Sequence, residues 1–300
     1  MKNFYLYGRR VVQTVVNKTP FLDSSIGVVL RKLEKKYIPV QEMAGISGNG
    51  WVDVHGFRLY YRPEDAGVVT PIRLYGDYEP ETTQEVMHIL KPGMGFLDLG
   101  AHIGFFSLLA AKIVGNTGSV FAFEPMKSTR GALQKNIQEN GLDSSIEVVP
   151  FAIADTRKTL RFSIHPEASD SAKMALETDS ENDIVEVEAT DLDSFFKERS
   201  WPRIDLVKMD VEGCETDAFL GMSELNRRNP SLKVIFEFNA GNFHAFNLSE
   251  SALFDALAQL GFSQFTCLYR KPKRIKLPED IPSLIRLAKN VNFNILAEKL

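Results

Sequence analysis

Residues 95–114, GFLDLGAHIGFFSLLAAKIV, decide the fold. A short apolar run carries Asp98 near its end, Gly100-x-x-x-Gly104 follows, and apolar residues then return at helical spacing. That order reads as a buried strand, a tight turn and a helix. Glycines suit the turn because the chain reverses sharply there and a ligand meets backbone with no Cβ in the way.

The same rhythm extends outward. SVFAFE (119–124) leads into a helix ending at Gly141, and IEVVPF (146–151) follows. Later come TDLDSFFKER (190–199) as a Thr- or Asp-capped helix, IDLVKMD (204–210), a helix over 213–221, LKVIFEF (232–238), a helix over 249–261, and a pair of strands within 262–270. Strands alternating with helices predict an α/β, Rossmann-like fold with a mostly parallel sheet covered on both faces. TLRFSI (159–164) and IVEVEA (184–189) read as paired strands around a polar loop long enough to act as a lid.

Around this core the chain divides into four parts. Residues 1–50 read as a basic, helical N-terminal extension, and 51–77 as a hairpin and linker, with WVDV and FRLYYR flanking His55-Gly56. Residues 78–270 form the main domain, opened by a helix over 82–90 with a Thr82-x-x-Glu85 capping box, and 271–300 a C-terminal amphipathic tail. The basic ends read chiefly as solvated helical faces. A second reading is peripheral contact with an anionic membrane surface.

With 300 residues, 44% hydrophobic, a mean hydropathy of −0.13 and a net charge of −4, the chain has ample material for a large core. It lacks a whole-molecule basic field, so the expectation is no nucleic-acid partner. Cys214 and Cys267 have neither zinc-ligand nor disulfide spacing. No apolar run reaches the roughly 18 residues of a membrane span, and the first residues have no signal-peptide pattern, so a cytoplasmic location is expected.

Two acidic constellations carry the chemistry. Glu124 lies 20 residues past Gly104 at the end of the next strand, where an acid accepts hydrogen bonds from ribose hydroxyls. Dinucleotide sites use GxGxxG, but GAHIGF lacks the middle and third glycines, and Asp98 ahead of the turn would repel a pyrophosphate. A carboxylate there suits a cationic amino group, as in S-adenosylmethionine (SAM). An NAD site is the alternative. DVEGCE (210–215) sets Asp210, Glu212 and Glu215 at a second strand end, with Lys208 before them; Glu237, Asn239 and His244 follow the next strand. Lys208 and Glu215 read equally well as solvent charges. Asp210, Glu212, Glu237 and His244 are the candidate general bases. A further role for Asp210, with Glu237 or Asn239, is to hold Mg²⁺ and the substrate oxygen.

GMGFLDLGAHIGFFSLLAA, FAFEP, VVPFAIAD and DLVKMDVEGCE, in this order, resemble the FkbM family of SAM-dependent methyltransferases over about residues 78–270. The resemblance implies a class I methyltransferase fold, a seven-stranded sheet with an antiparallel last strand, and methyl transfer to a hydroxyl oxygen of a small molecule, sugar, glycan or lipid-linked acceptor. It maps SAM contacts onto Gly100, His102, Gly104 and Glu124, and also onto Glu79, Ala152 and Asp155. A SAM-binding module without catalysis is the rival reading.

Overall fold

The computed structural model describes residues 44–165, 168–175, 180, 183–239, 242, 250–289 and 291–300. Almost all of the basic extension, part of the expected lid loop and His244 lie outside them.

A hairpin of β1 (Gly50–Val54) and β2 (Phe57–Tyr61) opens the chain. His55 and Gly56 turn it with φ of 47° and 78°, the positive pair that a two-residue hairpin loop needs. α1 (Ala66–Tyr75) and α2 (Pro80–Ile89) follow. The expected capping box is not used: Glu79 is the residue ahead of α2, and Thr82 is buried within it and meets Asn294.

Then come β3 (Gly95–Leu99), α3 (Phe105–Val114), β4 (Ser119–Phe123), α4 (Lys127–Glu139) and β5 (Ile146–Val149). Further along the chain are β10 (Leu206–Met209), α6 (Glu215–Leu220), α7 (Ser223–Arg228), β11 (Lys233–Phe238) and α8 (Glu250–Gln259). The chain closes with β12 (Gln264–Leu268), β13 (Lys273–Ile275), α9 (Ile281–Ala288) and β14 (Phe293–Glu298). The main sheet has the order β13-β12-β14-β11-β10-β3-β4-β5; β11 to β5 run parallel and the others antiparallel. It therefore has eight strands where seven were expected. Residues 262–270 hold one strand, β12, where a pair was expected, and both β13 and β14 come from the segment that reads as a tail; β14 enters because FNILA supplies five consecutive buried residues that fill the gap between β11 and β12.

A smaller sheet, β6-β9-β7-β8, consists of β6 (Ala152–Ile153), β7 (Lys158–His165), β8 (Ala168–Met174) and β9 (Ile184–Thr190). The β7–β9 pairing is antiparallel as expected, and β8 occupies part of the predicted loop. Asp191 caps α5 (Leu192–Lys197), accepting from the Ser194 N–H at 2.7 Å.

Strand alternation sorts the core into two faces. Leu97, Phe121, Val207 and Phe236 pack toward Phe195, Phe196 and Phe219, whereas Phe96, Val120, Leu206 and Ile235 pack toward α3, α4 and the hairpin. Each such side chain contributes roughly 1.5–3 kcal/mol by leaving water. The hairpin is tied to this second face by fully buried Asn136 of α4, which accepts from the Tyr60 N–H and donates to the carbonyls of Tyr60 (3.1 Å) and Ile103 (2.8 Å). Asn136→Ala strips these groups of their partners, and urea unfolding is expected to show a loss of about 2–4 kcal/mol.

Candidate functional site

The order in which the chain visits its parallel strands reverses between β3 and β10, and a cleft of about 270 Å³ opens over the carboxyl ends of these strands. Its geometry begins with Gly100. The Asp210 N–H donates to the Leu99 carbonyl at 2.9 Å, and a Cβ on Gly100 would lie 1.9 Å from the Asp210 carbonyl oxygen. With φ at +83° as well, only glycine fits there. Gly104, at φ +95°, serves packing: a Cβ would meet Leu133 at 2.5 Å, and Gly104 does not line the cleft.

Period two then sets the acids. Glu124 is two residues past inward-facing Ala122, and Asp210 two past Lys208, so both stand one layer above the strands on the face that carries α3. Glu124 lines the cleft, and its carboxylate accepts from the His102 N–H at 2.9 Å and the Met126 N–H at 2.8 Å. Each oxygen retains a further lone pair. Burial pushes its carboxyl up to about 7, with the two backbone N–H groups opposing that rise.

Asp98 corrects the sequence reading. It sits two residues below Gly100, about 7 Å down the strand, and is 2% exposed and absent from the cleft wall. Its carboxylate accepts from Ser107 Oγ of α3 at 2.5 Å, and burial raises it to about 6. It braces the turn from beneath, while Glu124 faces the cleft. Asp155 also stands apart, on the surface, where its hydrogen bond with Lys158 (2.7 Å) lowers its pKa. Ala152, Glu79, His102 and Gly100 do line the cleft.

At the other end of the cleft Asp210, Glu212 and Glu237 converge, each offering an oxygen within 4.8 Å of the others. Beneath them is Lys208, 2% exposed, whose Nζ donates to Asp210 Oδ2 at 2.9 Å and lies 5.2 Å from the Phe106 ring centre. Burial lowers its pKa, but the charges of Asp210, Glu79 and Asp98 outweigh burial and the net shift is upward. Burial and the neighbouring Asp210 charge push Glu212 up to about 8, and the same two causes raise Glu237. Glu215, read as an even choice between site and solvent, is buried beside the Gly213 N–H (3.1 Å), and burial raises it to about 7.

Sequence reasoning missed the contributions of Tyr78, Phe162, Asn292 and Asn294. Tyr78 and Asn292 line the cleft, Phe162 reaches it from the smaller sheet, and Asn294 Nδ2 holds Glu79 Oε2 at 2.7 Å. Glu79, His102 and Glu212, all in the cleft wall, have φ of 43°, 51° and 50°. Such strain in side-chain-bearing residues gathers at functional sites.

Two outcomes follow. Between pH 4.5 and about 7 the folded state holds protons on Glu124 and Glu215 that the unfolded chain has released, so stability falls as pH rises through that window. Thermal melts from pH 5 to 8 are expected to show this fall, and Glu215→Gln to flatten it. Glu124→Gln, which removes the other of these two titrating groups, is expected to flatten the fall further in the same melts.

Among known proteins, the chain is 38% identical over 76 residues to ribosomal RNA large subunit methyltransferase E of Nitrosomonas eutropha, covering 24% of this chain and 37% of that protein. It is 26% identical over 171 residues to the AMB antimetabolite synthetase AmbE of Pseudomonas aeruginosa, covering 45% of this chain and 8% of that one. It thus spans well under two thirds of both relatives. A SAM-dependent methyltransferase structure from Agrobacterium tumefaciens matches with a TM-score of 0.46 at 12% identity, covering 85% and 71% of the two chains. The methyltransferase FkbM structure from Methylobacillus flagellatus matches at 0.42 and 12%, covering 78% and 55%.

The ribosomal RNA methyltransferase overturns the expectation that nucleic acid is excluded as a partner. A net charge of −4 is a sum over the whole chain, and one face can be basic while the total is acidic. The sequence model of the methyltransferase FkbM domain matches residues 98–263, from the acid beneath the glycine turn to the start of β12, and the chain belongs to that methyltransferase family.

Proposed function

We propose that the protein transfers a methyl group from SAM to a hydroxyl oxygen of its acceptor. The observation that carries this reading is that Glu124 and the Asp210–Glu212–Glu237 cluster line one cleft. Its volume is near the lower end of ligand pockets, about 300–1,000 Å³.

Glu124 would hold the ribose with its spare lone pairs, and Phe151, Ile153 and Phe162 beside Ala152 offer apolar walls for an adenine. Glu79, held by Asn294, is a partner for an amino group. Bound there, SAM supplies a methyl already activated on a sulfonium. The chain's remaining tasks are alignment of the acceptor and removal of its proton. Asp210 is the base best placed for this, at the strand end, in the cleft wall and steadied by Lys208. His244 lies outside the described residues.

Within the Asp210–Glu212–Glu237 cluster Asp210 is the proton acceptor. Lys208 already brings a positive charge against Asp210, the place where Mg²⁺ would otherwise be required, so EDTA-treated protein is expected to keep its activity. Both a ribose and a small molecule present hydroxyls, and one curated relative is by name a ribosomal RNA methyltransferase. The acceptor panel therefore includes RNA, sugars and small molecules.

Transfer of labelled methyl from SAM to such fractions tests the reading. Binding of S-adenosylhomocysteine (SAH) with no transfer to any fraction would reduce the protein to a binding module. Asp210→Asn is expected to lower kcat by roughly 10²–10⁴-fold with SAH affinity held, and an equal loss of SAH affinity would move Asp210 to the nucleoside side. Because Glu212 releases its proton near pH 8, the added negative charge beside the acceptor raises the rate through that pH. Glu212→Gln should flatten this alkaline limb of the rate profile.

A further inference from the structure

We propose that the β12–β13 hairpin, at the mouth of the cleft, docks the phosphodiester backbone of a nucleic-acid acceptor. This names the acceptor class of the methyl-transfer reading and rests on that reading for the chemistry, while the docking surface stands on its own geometry.

β12 pairs with β14 so that Leu268 faces Asn294 and Gln264 faces Glu298. The Leu268–Asn294 end of that pairing is two residues from Asn292, which lines the cleft wall. β12 pairs with β13 with Cys267 facing Lys273, so the turn at 269–271 is the hairpin tip and stands at the cleft end of the sheet. From that tip Arg270, Lys271, Lys273, Arg274 and Lys276 follow in seven residues, all exposed. Arg286 and Lys289 of the α9 region add to them, and residues 270–289 hold seven basic and two acidic residues.

The acids nearby are accounted for. Glu298 takes Lys233 at 2.6 Å and Arg274 at 3.6 Å, Asp280 accepts from the Lys276 N–H at 2.9 Å, and Glu279 is exposed. Lysines on an edge strand also discourage aggregation, which accounts for Lys273 and Arg274 on β13. It does not account for the charges at the tip or for Lys276 and Lys289.

Arg270, Lys271 and Lys273 stand at the cleft end of the hairpin and Arg274 and Lys276 lead away from it along and beyond β13, a row of cations that suits a polyanion running past the reacting group. A bilayer fits less well. Leu284 and Ala288 of α9 are buried, and Ile281, Ile285 and Leu287 pack against the same core, so the helix has no apolar face left to insert. That packing also sets aside the reading of this segment as a membrane-contacting tail.

The test is anisotropy of a fluorescein-labelled 20-nucleotide single-stranded RNA, from 50 to 200 mM salt, with SAH calorimetry in parallel. Wild type is expected to bind with a steep salt dependence. K271E/K273E/R274E should bind at least tenfold more weakly at 50 mM salt, with the log–log slope shallower by about 2, since each single-strand phosphate contact contributes about 0.7. SAH affinity should be unchanged. If the triple variant does not fold, K271Q/K273Q is expected to lower the slope by about 1.4 on the same basis.

Wild type that ignores RNA at 50 mM salt overturns the proposal, as does a folded variant that binds like wild type. So does tighter binding to phosphatidylglycerol vesicles or heparin than to RNA, which would assign the surface to a membrane or an acidic glycan. Failure of RNA binding with SAH binding intact removes the docking surface alone. RNA binding without SAH binding removes the methyl-transfer reading alone.

Discussion

The contact between Gly100 and the Asp210 carbonyl governs the site. Two parallel strands separate at a switch point only if the turn after the first lies flat against the end of the second, and here the space for a Cβ is already taken by that oxygen. Gly100 and Ala101 donate to the Phe123 carbonyl on the other side, so the turn is held between β10 and β4. The two acidic groups, Glu124 from β4 and Asp210 from β10, face one cleft because one glycine lets their strands approach the same turn.

Above that turn the chain concentrates charge that burial penalises. Glu124, Glu212, Glu215 and Glu237 all have carboxyls raised chiefly by burial, and one ammonium, Lys208, sits below the Asp210–Glu212–Glu237 group. Taking charges out of water is costly unless they are paired and hydrogen-bonded. Such groups gather where chemistry needs shifted proton affinities. The positive φ at Glu79, His102 and Glu212 adds backbone strain at the same place.

The C-terminal segment joins the cleft to the basic hairpin. β14 completes the sheet, and its Asn294 reaches across to Glu79 and Thr82 at the start of α2, which lies more than two hundred residues earlier. The same insertion presses α9 onto the core and presents the basic β12–β13 hairpin beside Asn292. Cleft wall and hairpin therefore share one strand.

Local pattern was enough for the strand, turn and helix order from Gly95 to Val149, the β1–β2 hairpin, the β7–β9 pair and the acids at the ends of β4, β10 and β11. Each depends on periodicity and turn chemistry within a few residues. Long-range register was not legible. Asp98 looks like a strand-end acid until the pairing of β3 with β10 sets it a layer below, facing Ser107. Lys208 looks like a solvent charge until Phe106 and Asp210 enclose it. The last eight residues look like the end of a tail until β11 and β12 leave a gap that β14 fills. Which residues repeat along a chain is a property of the sequence, but depth and neighbours depend on contacts made across hundreds of residues, and only the folded sheet specifies them.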